Sequence, residues 1–209
     1  MRLFSVADIF AIPADLPAAL LRSTVALLVV VDALGIVPLY IALTGKMERV
    51  QRRAVSKTVI ITAASLLFAF ALAGNQIFAI FGITLPSFMI AGGVLLFVVA
   101  IELLTRGGWR FGDASAGEEA GIVPIAFPLL AGPGSITAVI ISLETSGLVV
   151  TTLSILIATG ATYLVLRYAH GIYRVLGRRG ALIVTRVFAV FVAAIAVQFI
   201  IQGAKEVFG

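Results

Sequence analysis

Six apolar stretches, each close to the length of one bilayer crossing, set what this chain can fold into. They run over residues 22–44, 57–74, 83–104, 121–142, 148–168 and 182–203. About 20 predominantly apolar residues, wound as a helix, cross the hydrocarbon core. Lipid offers backbone N–H and C=O groups no partner, so a spanning segment must satisfy them internally. The expectation is therefore an all-α membrane protein with six transmembrane helices. Composition agrees: 12% of the 209 residues are charged, against about 25% in a soluble domain.

The net charge of +5 does not call for nucleic acid, because membrane proteins gather Lys and Arg in cytoplasmic loops. The loop after the first stretch holds Lys46, Arg49, Arg52, Arg53 and Lys57, and the loop after the fifth holds Arg167, Arg174, Arg178 and Arg179. The loops after the second and fourth hold no Lys or Arg. Positive loops inside put both termini outside. Gly74-Asn75-Gln76 reads as a tight outer turn. The segment 1–20 reads as an interfacial lead-in that stays on the mature protein, since its apolar run is broken by Asp8, Pro13, Asp15 and Pro17.

Several functions are unsupported. There is no cysteine and one histidine, His170, which argues against a metal centre. No phosphate-binding loop and no nucleophile–base set is present, so neither an enzyme nor an ATP-driven pump is expected, and no cofactor.

Two helix-breaking stretches sit inside apolar spans. Pro costs roughly 3 kcal/mol and Gly roughly 1 kcal/mol in a helix interior. Yet "AGPGS" (131–135) lies in the fourth span and "DALGIVP" (32–38) in the first. A shift of 96 residues lays Ala100 on Ala196, Val94 on Val190, Glu102 on Gln198, and Gly35–Pro38 on Ala131–Gly134. Three spans per half would make the halves cross in opposite senses, as in inverted-repeat transporters. The expected organisation is a first repeat over 1–104, a cytoplasmic linker over 105–120, and a second, inverted repeat over 121–209. Non-helical backbone at membrane depth is tolerated where it lines a cavity. The expectation is that residues 34–37 and 131–134 are non-helical and face each other. Free N–H groups would take a carboxylate and free C=O groups an ammonium, so a zwitterion fits. The bland alternative is a pair of packing kinks.

The segments "VDALGIVPLYIALT", "IAGGVLLFVVAIELL", "GIVPIAFPLLAGPGSITAVI" and "AAIAVQFIIQG" resemble the MarC family, named for its association with multiple antibiotic resistance. The resemblance covers about Leu21 to Gly203. It implies a six-span protein of the prokaryotic inner membrane, an inverted repeat with discontinuous helices 1 and 4, and transport of small neutral amino acids such as glycine. Ala33 and Ile36 depart from the family's usual Pro and Asn, which implies a milder first break.

The candidate substrate-binding residues are Asp32, Ala33, Leu34, Gly35, Ile36, Pro38, Ala131, Gly132, Pro133, Gly134, Ser135 and Thr137. Asp32 is either a packed structural acid or a cavity group that binds an ammonium or a proton. A charge at the centre of a span costs roughly 2.5–3.5 kcal/mol. Ser135 and Thr137 either donate to a substrate carboxylate or satisfy backbone carbonyls. Glu102 and Arg186 either reach the cytoplasmic interface or bridge as a gate. Gly92-Gly93 reads as a close helix contact, and Tyr40 and Trp109 as interfacial or cavity-lining groups. The function that follows is proton-coupled secondary transport of a small neutral amino acid by alternating access, in a lipid bilayer. Export of drugs and a non-transporting membrane role are the competing readings.

Overall fold

The computed structural model describes residues 13, 15–45, 47–106 and 125–208, which are helical with no strand among them. Helix α1 is Leu16–Val31, α2 Ala33–Thr44, α3 Arg49–Phe81, α4 Leu85–Arg106 and α5 Pro133–Phe208. A short wound segment, Ile125–Leu130, precedes α5. Four helical stretches are long and apolar enough to cross a membrane: Arg49–Phe81, Leu85–Thr105, Pro133–Ala169 and Arg186–Phe208. The pair α1 and α2, bent by 44°, makes a fifth.

The long element α5 is not straight. Gly147 has φ 79°, a left-handed conformation that glycine adopts without a Cβ penalty. Across it, the Ser142 and Thr151 hydroxyl oxygens lie 2.9 Å apart. Nine residues of straight helix would separate them by about 13 Å. The chain therefore turns back on itself at Gly147. It turns again between Ala169 and Arg186, because Phe199 packs against Gly134. Thr24 of α1 donates to Ser154 across 3.1 Å, which pins the returning arm to the first helix.

Helix α4 runs antiparallel to the last arm of α5. Gly203 meets the Pro86 carbonyl and Gly93 meets the Ala196 carbonyl, each close enough that a Cβ would lie 2.6–2.7 Å from the oxygen. Such bare-backbone contacts let membrane helices approach where lipid supplies no hydrophobic driving force. Beside them Leu96, Ala100, Val192 and Ala196 form a buried cluster. A larger core joins α1, α2, α3 and the first two arms of α5 around Leu27, Ile36, Leu67, Ile136 and Ile155.

Most interior hydroxyls are quenched locally. Thr44, Ser56, Thr151, Thr159 and Thr162 each donate to the carbonyl four residues back, at 2.6–2.9 Å. Tyr40 is buried: its hydroxyl lies 2.7 Å from that of Ser56 and donates to the Arg52 carbonyl. Trp109 lies outside the described residues.

Three sequence expectations change. Gly74-Asn75-Gln76 is no turn; α3 runs through it to Phe81 and ends at Gly82, φ 62°. Gly74 is buried against Ile140, and Asn75 donates to Glu144 at 2.9 Å. Helix contact and an amide–carboxylate bond override the local turn preference. Helix α1 begins at Leu16, within the expected 1–20 lead-in, with Pro17 in its first turn, a position that suits proline; this moves the start of the helix, not the membrane boundary. Finally, residues 34–37 are helical, so the first break is not where the Gly/Pro pattern put it. Of the 105–120 linker, Thr105 and Arg106 belong to α4, and 107–120 lie outside the described residues.

Candidate functional site

The first break is a single residue. Asp32 has φ 42° and ψ 59°, a left-handed conformation that costs an L-residue roughly 1–2 kcal/mol and that Asp and Asn enter more readily than most. Its carboxylate turns back over the start of α2 and accepts from the Gly35 N–H at 3.1 Å. This is an N-cap, placing negative charge on the positive end of a helix dipole. Gly35 is what makes room, since a Cβ there would collide with the carboxylate. Asp32 as a whole residue is exposed.

The second break is longer. Phe127 is extended, with φ −143° and ψ 132°, and the Phe127–Pro128 bond is cis. Ala131 and Gly132 leave the helix, but α5 starts at Pro133, so of the expected non-helical stretch 131–134 only the first half is unwound: Pro133 opens the helix, where its missing N–H costs nothing. Ala131 still donates to the Ala126 carbonyl at 2.9 Å. The Ser135 hydroxyl lies 2.6 Å from the Leu130 carbonyl and 3.0 Å from that of Gly132. A hydroxyl has one proton and two lone pairs. With its proton held by these carbonyls, Ser135 offers acceptor capacity. Of the two roles the sequence left open for Ser135, this geometry shows the hydroxyl on backbone carbonyls. Thr137 likewise donates to the Pro133 carbonyl at 2.7 Å. The N–H groups of Gly134 and Ser135 lie in the first turn of α5, where a helix has no acceptor for them. An anion is favoured there.

The two breaks meet. Asp32, Gly35 and Ile36 from the first, and Gly132, Gly134 and Ser135 from the second, line one cavity of about 40 Å³. A single water needs about 10–15 Å³ by the same kind of measure, so the space holds a small polar molecule. Its remaining wall is apolar: Val30 and Val31 of α1, Leu96 of α4, Leu129, and Val192, Ile195 and Phe199 of the last arm. These were not among the sequence candidates. The 96-residue correspondence could have found two of them, since Leu96 and Val192 are equivalent under it.

The other candidates fall elsewhere. Ala33 is half-buried and Pro38 buried within α2, and Ala131 is fully buried behind the cavity. Pro133 fills the space over Gly92 of α4, and Thr137 faces a separate cleft. The side chain of Leu34 lies outside the described residues. Glu102 is buried in α4 while Arg186 is exposed. No metal-binding cluster of His, Cys, Asp and Glu occurs among the described residues.

The chain is similar to a set of curated membrane proteins over nearly its whole length. It is 36% identical over 190 residues to a UPF0056 membrane protein of Archaeoglobus fulgidus, covering 86% of this chain and 89% of that one. It is 36% identical over 187 residues to the UPF0056 membrane protein MJ1677 of Methanocaldococcus jannaschii, covering 84% and 91%. It is 29% identical over 199 residues to the UPF0056 membrane protein YhcE of Escherichia coli, covering 88% and 91%. No solved structure matches it. Residues 18–208 match the description "MarC family integral membrane protein"; the chain is a multi-pass integral membrane protein and belongs to the MarC family.

Proposed function

We propose that this protein is a secondary transporter of small neutral amino acids, such as glycine or alanine, that works by alternating access and couples to protons. The observation that carries this reading is the meeting of two helix breaks on one cavity. Discontinuous helices with their ends on a shared site are how many transporters hold a solute at the midplane. Here the N–H groups at the start of α5 suit a carboxylate. The Asp32 carboxylate and the Ser135 lone pairs suit an ammonium. The apolar wall suits a hydrogen or methyl side chain. A drug-sized molecule fills pockets of about 300–1,000 Å³, so a cavity of about 40 Å³ disfavours it. Asp32 is the acid in this cavity and takes the proton-coupling role.

Six crossings arranged as two inverted repeats fit the same reading. The turn at Gly147 divides Pro133–Ala169 into two arms, and the segment from Ile125 lengthens the first arm to a full crossing. The cluster Leu96, Ala100, Val192 and Ala196 maps onto itself under the 96-residue shift, as a two-fold axis between antiparallel helices requires. Asp32 falls on Pro128, one residue from the extended Phe127. The loop charges put both termini outside the inner membrane. The protein acts on its solute without changing it chemically, so it is not an enzyme, and neither nucleic acid nor a cofactor takes part.

A thermal-shift screen of the purified protein against the twenty amino acids tests the reading. A ligand at 100 times its Kd stabilises the native state by about 2.7 kcal/mol. Glycine or alanine should raise the melting temperature, and liposomes carrying the protein should take up the same solute under a pH gradient. A screen with no shift, together with liposomes that show no flux, overturns it.

A further inference from the structure

We propose that the cleft between α1 and the first arm of α5 is the outer vestibule of this cavity, and that Phe199 and Val30, meeting over Gly134, form the gate between them. The proposal rests on the cavity being the solute site.

The cleft has a volume of about 580 Å³, and its walls include Asp15 just before α1, Arg22 and Ser23 of α1, and Thr137, Thr145 and Ser146 of α5. Gly134 belongs to the wall of the cleft and to that of the cavity. The two spaces thus share one wall residue, and it has no side chain. On that bare backbone sit two apolar groups. A Cβ at Gly134 would lie 2.7 Å from Cζ of Phe199 and 2.7 Å from Cγ1 of Val30. In the proposed partition a ring and a methyl group each pack on the bare backbone of Gly134.

The movable part is Phe199. It is half-buried on the last arm of α5, so a rotamer change of one ring opens the partition without unfolding a helix. Gly134 keeps the passage as wide as backbone allows once the ring has moved. The chemistry of the cleft suits a zwitterion. Arg22 provides a cation for the carboxylate. Asp15, two helical turns away just before α1, provides an anion. Thr137 and Thr145 have given their protons to backbone carbonyls at 2.7 and 2.8 Å and face the cleft as acceptors for an ammonium.

The cleft lies at the end of the molecule that holds Gly147 and the Asn75–Glu144 bond, away from the basic start of α3. By the distribution of loop charges that end is outside.

The chain has no cysteine, so each introduced thiol reports alone. Single variants Ser23→Cys and Ser146→Cys report the vestibule, and Ser135→Cys and Leu129→Cys report the cavity. Two cavity reporters are used because Ser135→Cys also loses the bonds that hold the break. Intact cells are treated with a membrane-impermeant cationic methanethiosulfonate, and labelling is read by mass shift of the full-length protein. The vestibule thiols should label from outside. The cavity thiols should label at least about tenfold more slowly, a difference that a modest barrier supplies. Adding Phe199→Ala should erase most of that difference. Vestibule thiols that label only from inside, or only after detergent has removed lipid from the cleft, overturn the vestibule. Cavity thiols that label as fast as vestibule thiols in the parent, or stay slow with Phe199→Ala, overturn the gate. Labelling needs no solute. If it follows the expected pattern while no amino acid binds, the passage stands and the transport reading fails.

Discussion

Asp32 carries two duties that a short series of substitutions separates. The backbone there is left-handed, and the side chain caps α2 through the Gly35 N–H. Asp32→Ala loses both supports. Removing an N-cap side chain costs about 1 kcal/mol, and forcing alanine into the left-handed region costs about 1–2 kcal/mol. The expected loss is about 2–3 kcal/mol, or about 4–12 °C in melting temperature for a chain of this size. Asp32→Asn keeps the acceptor oxygen and tolerates the backbone, so it should melt within about 0.5 kcal/mol of the parent. Asp32→Gly relieves the backbone and loses the cap at a cost of a few tenths of a kcal/mol. Stability should therefore rank the parent, Asn and Gly together, with Ala well below. Transport should rank differently, because Asn and Gly both remove the carboxylate. Each should lower flux in liposomes by about tenfold, equivalent to about 1.4 kcal/mol, and flatten its pH dependence. An Ala variant as stable as Asn would refute the left-handed cap. An Asn variant with full flux and an unchanged pH profile would show that the charge does no work in transport.

The glycine contacts predict opposite signs for one chemical change. Gly93→Ala should destabilise by about 1–3 kcal/mol, because its Cβ meets the Ala196 carbonyl. Gly160→Ala meets nothing within 4 Å and should stabilise by about 0.5–1 kcal/mol; thermal melts of both variants check the pair. The Thr24–Ser154 bond should appear as a coupling of about 0.6 kcal/mol, typical of bonds between membrane helices, in a double-mutant cycle to alanine and valine. Cysteines at Ile83 and at Arg53 should label from opposite sides of the membrane, Ile83→Cys from outside, and the reverse pattern would refute the orientation.

The all-helical, membrane-spanning class was legible because a bilayer leaves the backbone few choices; of the six crossings expected, four helices and one bent pair are long and apolar enough to span. The breaks were legible as a neighbourhood, because proline and glycine are poor helix residues wherever they stand. Their positions were not. Residues 34–37 contain Gly35 and lie next to Pro38, yet they wind into α2. The interruption falls on Asp32, a residue whose left-handed geometry is held by a carboxylate folding back on Gly35. Local propensity does not encode that bond. Gly74 misled for the opposite reason: Gly-Asn-Gln is turn-like alone, but here Ile140 packs against the glycine and Glu144 takes the amide. The polar half of the cavity was readable from residue type. Its apolar wall was not, because valine, isoleucine and phenylalanine are as common facing lipid as facing a solute.

The back-bonded hydroxyls bear on how the chain enters the membrane at all. An unbonded hydroxyl is costly in hydrocarbon, and during insertion a helix has few neighbours to share with. A bond from Thr159 to Ile155, or from Thr162 to Ala158, closes within one helical turn and forms as soon as that turn winds. Such residues reach the bilayer already neutralised, so insertion and assembly are uncoupled for them. The Thr24–Ser154 and Asn75–Glu144 bonds cannot form until distant helices meet. Order of synthesis thus puts a delay on those pairs, and the second of each must emerge from the ribosome before the first is satisfied.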